Sequence, residues 1–271
     1  MIRLATLEEI EQLATWAAAE GWNPGLEDAA AFQAADPEGF FVSVQGGQVV
    51  AGISVVNHDE TLAFLGFYLC HPDWRGQGLG YALWKHALQH AAGRTVGLDG
   101  VADQQANYTR SGFFLAGASQ RFQGHMDGAA DPAIRLATEG DVPALIDLDA
   151  HVGGARRQAF LTAWLAQQQS RRTLVRDDLA GFVTIRRCRE GAKLGPVIAP
   201  DAEAAMALIR AALAEMPADP VILDLPVANK ALRALLEELG FALTFETARM
   251  YRGFAPAVGR ELQVIASMEL G

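Results

Sequence analysis

Apolar positions recur along this chain in two alternating periods. Ile2-Arg3-Leu4 predicts a short strand, and Thr6 followed by Glu9 is a capping box that opens a helix. The helix extends to about Glu20 and stops at Gly21, where Glu20-Gly21-Trp22-Asn23-Pro24-Gly25 reads as a turn. A second helix is expected from Leu26 to about Ala35, ending before Pro37. Phe40 to Gln45 and Gln48 to Asn57, joined by Gly46-Gly47, predict a β-hairpin. Leu62 to Cys70 is continuously apolar and reads as a strand buried on both faces. After a glycine-rich turn, Leu79, Leu83, Ala87, Leu88 and Ala91 fall at helical spacing. A strand (Thr95 to Asp99), a short helix (about Gln104 to Arg110) and two strands (near Phe113 to Ala116 and Ser119 to Gln123) follow.

Beyond a small-residue linker, Gly124 to Pro132, the pattern starts again. Ile2-Arg3-Leu4-Ala5-Thr6 returns as Ile134-Arg135-Leu136-Ala137-Thr138, Leu98-Asp99 as Leu223-Asp224, and Gly112-Phe113 as Gly240-Phe241. Arg121-Phe122-Gln123-Gly124 returns loosely as Met250-Tyr251-Arg252-Gly253. Between these marks lie a hairpin-like pair (Arg172 to Arg189), a strand ending at Ile198, a helix (about Asp201 to Glu215), a strand (Val221 to Leu225) and a helix (about Lys230 to Leu239). The expected boundaries are 1–125 for one domain and 133–271 for the other. The residues from Gly259 onward are expected to add a strand to one of the two, with no sign of which.

The turn at Arg75-Gly76-Gln77-Gly78-Leu79-Gly80 sits between a buried strand and an amphipathic helix. Such a turn presents unpaired backbone N–H groups at a helix N-terminus, where the dipole favours an anion, and Arg75 adds a fixed positive charge. It reads as a phosphate cradle. Its glycines do not fit Gly-x-Gly-x-x-Gly, and no Gly-Lys-Ser/Thr follows, so dinucleotide and nucleoside-triphosphate loops are unsupported.

The run resembles the pyrophosphate-binding signature of the GNAT superfamily of acyl-CoA N-acyltransferases, Arg/Gln-x-x-Gly-x-Gly/Ala, with Pro72 three residues before the arginine. The element order agrees with that fold, and the repeat resembles the tandem subgroup with an intact first and a degenerate second copy. The second copy has Pro200-Asp201-Ala202-Glu203-Ala204-Ala205-Met206 at the cradle position, without arginine or glycine. The fold class implied is α/β (α+β): two tandem GNAT-type domains, each a mixed, mostly antiparallel twisted sheet flanked by helices. The resemblance also implies N-acetyl transfer from acetyl-CoA to the amine of a small molecule, by direct attack in a ternary complex. Contacts to acetyl-CoA are carried onto Leu69, Cys70, Arg75, Gly76, Gln77, Gly78, Leu79, Gly80 and Tyr81, with a backbone N–H near Leu69 or Cys70 polarising the thioester carbonyl. Tyr108, four residues before Gly112-Phe113, stands where a tyrosine protonates the departing sulfur, which implies an alkaline loss of activity as its phenol ionises. The second copy has Leu236 there.

Other candidates stay two-sided. Trp22 and Asn23 lie on the turn that admits the acceptor in GNAT folds, and serve equally as packing residues. Asp99 is within reach of an acceptor amine, but its repetition as Asp224 in the copy without a cradle favours a structural role. Leu62 to Cys70 carries no Glu or Asp to act as base. Cys70 admits a covalent acetyl-cysteine route, although a small buried strand residue is the better reading. His58, His71 and His125 are isolated and read as surface residues; no metal-ligand spacing appears. A catalytically silent acyl-CoA-binding or sensory protein is the alternative to an enzyme.

Composition narrows the partners. The net charge of −10 argues against nonspecific binding to nucleic acid or anionic membrane. The chain has 2 cysteines, which makes a disulfide framework unlikely to form and fits a reducing, cytoplasmic setting; the N-terminus lacks a signal-peptide core. A homodimer is left open.

Overall fold

A computed structural model describes residues 1–271. The first half runs β1 (Ile2–Leu4), α1 (Leu7–Ala19), α2 (Asp28–Ala35), β2 (Phe40–Gln45), β3 (Gln48–Asn57), β4 (Leu62–Cys70), α3 (Leu79–Ala87), β5 (Thr95–Gly100), α4 (Gln105–Arg110) and β6 (Phe114–Gly124). The second runs β7 (Ile134–Leu136), α5 (Val142–Gly153), α6 (Gln158–Trp164), β8 (Arg171–Arg176), β9 (Phe182–Arg187), β10 (Ala192–Ile198), α7 (Ala202–Glu215), β11 (Val221–Pro226), α8 (Lys230–Glu238), β12 (Ala242–Arg252) and β13 (Leu262–Val264).

Local chemistry repeats with the sequence. Thr6 and Glu9 close the capping box on α1, and Arg3 clamps Glu9 from β1. In the second half Asp141 accepts from the Thr138 N–H and is clamped by Arg135 from β7. Two expectations need correction. Leu26 is not helical, because its N–H donates to the Arg187 carbonyl (2.9 Å) and ties the turn to the other half before α2 begins at Asp28. The two strands expected after Phe113 are one: Gly117 lies within β6, where a bulge opposite Arg249 and Met250 bends the strand without ending it.

All strands join one sheet in the order β1-β2-β3-β4-β5-β12-β6-β11-β10-β9-β8-β7, with β13 on β10. Only β4–β5 and β10–β11 are parallel. The last strands are exchanged: β12 pairs with β5 of the first half, and β6 pairs with β11 of the second. Each exchanged strand carries an arginine to the other half's aspartate. Arg249 grips Asp99 (2.9 and 2.7 Å), and Arg121 grips Asp224 (2.7 and 2.9 Å). Leu98-Asp99 and Leu223-Asp224 therefore repeat for a structural reason. The equivalence also shifts the repeat of the last strand by one residue, since Arg121 matches Arg249.

The core crosses the same boundary. Phe32 of α2 stacks on Trp164 of α6, with ring centroids 5.7 Å apart. Leu83, Trp84 and Leu98 of the first half share a buried cluster with Ala248 and Met250 of β12. After β13, which extends the second half's side of the sheet, the buried residues 265–270 cross to the first half, where the carbonyl of Leu270 contacts His58 Nε2 (2.8 Å).

Candidate active site

The site begins where two parallel strands part. β4 and β5 pair from Leu62 with Thr95 to Leu65 with Leu98, and no further. Phe67 then takes a left-handed conformation (φ 45°), and the register of β4 against β3 shifts between Gly52 and Ser54. This bulge leaves the end of β4 without a partner on its β5 side. The His71 N–H donates to Val50 of β3 (2.9 Å), so strand alternation turns the Cys70 N–H toward the open side and the Leu69 N–H toward β3. Of the two backbone groups expected near a thioester carbonyl, that of Cys70 faces the opening.

Gly76 (φ 78°) and Gly78 (φ 76°) hold the turn in the left-handed region, where other residues are strained. Gly78 caps α3 with no side chain on the helix end, so the first N–H groups stay available to an anion. Gly80 is tightly packed: a Cβ there would lie 2.8 Å from the Tyr68 hydroxyl, so the Tyr68 side chain would have to shift. The turn opens on a broad groove lined also by Leu69, Cys70 and the exposed Tyr81. Arg75 is half-exposed; its Nε donates to the Cys70 carbonyl (3.0 Å), and its other end pairs with Glu20 at the close of α1. The amides at the start of α3 and the Arg75 guanidinium fit a pyrophosphate, which would compete with Glu20 for the arginine.

Trp22, Tyr68, Val101 and Gln104 line both this groove and a narrow inner cavity. Tyr108 reaches the cavity wall from α4. Its ring stacks on Trp84 (5.4 Å, 20°) and lies over Gly100, where a Cβ would come within 2.7 Å. The hydroxyl has no hydrogen-bond partner within the chain and is not sealed from the cavity. Burial, with the neighbouring Tyr68 adding to it, holds the phenol far above its usual pKa. The raised pKa keeps Tyr108 protonated near neutral pH and moves the expected alkaline limb to higher pH.

The other candidates separate. Trp22 lines both chambers, and its carbonyl is anchored by Lys193 Nζ (2.6 Å) and Arg121 Nη1 (3.0 Å). Asn23 lines neither; its amide donates to the Glu190 carbonyl (2.8 Å) and docks the turn on the second half. Asp99 borders the cavity, but its carboxylate is committed to Arg249 and to the Ser119 hydroxyl (3.1 Å). His58, expected at the surface, is buried, and burial lowers its pKa to about 4.

Cys70 is partly buried, and burial raises its thiol pKa, with Arg75 offsetting only part of the effect. No histidine or carboxylate bonds to it. Cys70→Ala should therefore keep most of the activity. An acetylated Cys70 trapped by mass spectrometry, with ping-pong kinetics, would contradict this.

The second half has no matching site. The Asp201 carboxylate already caps α7, accepting from the Ala204 N–H (2.8 Å), and Leu236 is fully buried at the Tyr108 position. What that half does supply was missed in the sequence: Arg121's partner Asp224, then Phe245, Thr247, Met268 and Glu269 on the cavity wall. One acid within the apolar tail Val264-Ile265-Ala266-Ser267-Met268-Glu269-Leu270 was the available signal. No group of three or more His, Cys, Asp or Glu could hold a metal ion, and no helix is long and apolar enough to cross a membrane.

The splayed strands, the cradle and the two-chamber site are those of an acyltransferase of the GNAT type. Residues 7–113 match the model described as acetyltransferase (GNAT) family, and residues 145–266 match that described as acetyltransferase (GNAT) domain. The chain belongs to the GNAT family and carries two such domains in tandem. It is 34% identical over 273 residues to the holothin acyltransferase of Pseudoalteromonas sp. (strain SANK 73390), covering 98% of this chain and 93% of that protein. Among solved structures, a putative acetyltransferase from Pyrococcus horikoshii superposes with a TM-score of 0.82 at 17% identity, over 100% of this chain and 95% of the other. A tandem GNAT protein from the clavulanic acid biosynthesis pathway gives 0.63 at 18%, over 93% and 97%.

Proposed function

We propose that this protein transfers an acetyl group from acetyl-CoA to the amine of a small, largely apolar molecule, by direct attack in a ternary complex. The observation that carries the reading is the continuity of the cradle groove with a cavity that holds an unpartnered, protonated Tyr108. In this reading Arg75 and the amides of residues 76–80 hold the pyrophosphate, and the Cys70 N–H polarises the thioester carbonyl. Tyr108 gives its proton to the departing sulfur. The second half closes the acceptor side through Phe245, Thr247 and Met268. Two free cysteines suit a reducing compartment such as the cytoplasm.

The name of the relative makes holothin the first acceptor to try, beside a panel of primary amines. Purified protein should release thiol from acetyl-CoA only when an accepted amine is present, with intersecting initial-velocity patterns. Tight binding of acetyl-CoA without turnover on any amine would favour the silent, ligand-sensing alternative.

A further inference from the structure

The inner cavity contains a carboxylate with no direct partner in the chain. Glu269 is 3% exposed, yet its carboxylate takes part in no hydrogen bond or ion pair, and what remains accessible of it faces the cavity. Arg121 of β6, Arg186 of β9 and Lys193 of β10 feel its charge, but they are engaged elsewhere, with Asp224, with Asp28 and with the Trp22 carbonyl. Thr247 on β12 lines the same cavity, but its hydroxyl is sealed from it. An unpartnered carboxylate on a largely apolar wall calls for a ligand that brings a hydrogen-bond donor on an apolar body.

The backbone explains how the carboxylate arrives. β4 bears no acid of its own, and at Gly66 the tail crosses so closely that a Cβ would overlap the Glu269 carbonyl. Glu269 thus lies beside the bulge from which β4 opens toward the thioester site.

We propose that Glu269, delivered from the C-terminal tail, binds the acceptor as a protonated primary amine and accepts its proton during transfer. This rests on the acyl-transfer reading above. The bound ammonium passes one proton through Glu269 to water. The neutral nitrogen then attacks the carbonyl carbon, and Glu269 takes a second proton as the C–N bond forms. The C–S bond breaks, and sulfur leaves with the phenolic proton of Tyr108. Water carries the proton from Glu269 back to the phenolate, leaving an amide, a free thiol and one released proton.

The test uses the full chain with acetyl-CoA and two acceptor probes, holothin and 2-phenylethylamine. Glu269→Gln keeps the shape and should leave acetyl-CoA affinity unchanged while raising KM for the amine and lowering kcat about 10²-fold. Glu269→Asp should retain more activity than Glu269→Gln, and added formate should restore part of the rate to Glu269→Ala, which a purely structural role would not give. Glu269→Gln turning over like wild type, or Glu269→Ala slow and indifferent to formate, would overturn the assignment while leaving acyl transfer intact. A wild-type protein that binds acetyl-CoA but acylates neither probe would remove the acyl-transfer reading and this one together.

Discussion

Tyr108→Phe is expected to lower kcat by about two orders of magnitude while acetyl-CoA binds nearly as before. The substitution keeps the ring, and with it the stack on Trp84 and the fit over Gly100, so packing changes little. What it removes is a proton that burial keeps on the phenol and that no group in the chain competes for. Expelling a thiolate without an accompanying proton raises the barrier, and a positioned acid is typically worth about 10²- to 10⁴-fold. Tyr68 is the control: its phenol is close enough to add to the shift of Tyr108, and burial raises its own pKa. Wild-type turnover in Tyr108→Phe, with the loss appearing in Tyr68→Phe, would move the acid to the neighbouring ring.

Arg121→Ala should destabilise the fold by about 3–5 kcal/mol, read as a fall in the denaturant midpoint at unchanged slope. Arg121 and Asp224 are 4% exposed each and form a two-pronged pair between the exchanged strand β6 and β11 of the second half. Removing the arginine leaves a buried carboxylate, and takes one of the two donors from the Trp22 carbonyl. The penalty should come mainly from the stranded charge, so Arg121→Met combined with Asp224→Leu should recover most of the loss. A single variant within about 1 kcal/mol of wild type would mean that the pair does not fasten the halves.

The sequence was informative wherever chemistry is local. A capping box, glycines around a turn and an apolar run each constrain their own neighbourhood, and the glycine turn and its loss in the second copy could be read from them, whereas the part given to Tyr108 came from the family resemblance alone. Pairing between distant strands leaves no such trace. Nothing in Phe114–Gly124 or Ala242–Arg252 says which half each strand joins, because both alternate adequately beside either neighbour. The exchange became visible only through Asp99 with Arg249 and Asp224 with Arg121. For the same reason the repeated Leu-Asp was legible as structural while its partners were not, and Asn23 could not be told from an acceptor contact until its bond to Glu190 was seen. The bulge at Phe67 escaped as well, since no glycine marks its left-handed residue. Glu269 lay outside every motif, in a tail whose path over Gly66 is set by tertiary packing.

The central claim is that one acyl-CoA site, built on Arg75 and the glycines after it, serves the whole tandem chain. Calorimetric titration of the full-length protein with acetyl-CoA tests it most directly. One site per chain is predicted. Gly78→Glu should abolish it, because the residue is held at φ 76° and the new carboxylate would point negative charge at the pyrophosphate position. Two equivalent sites, or unchanged affinity in Gly78→Glu, would contradict the account.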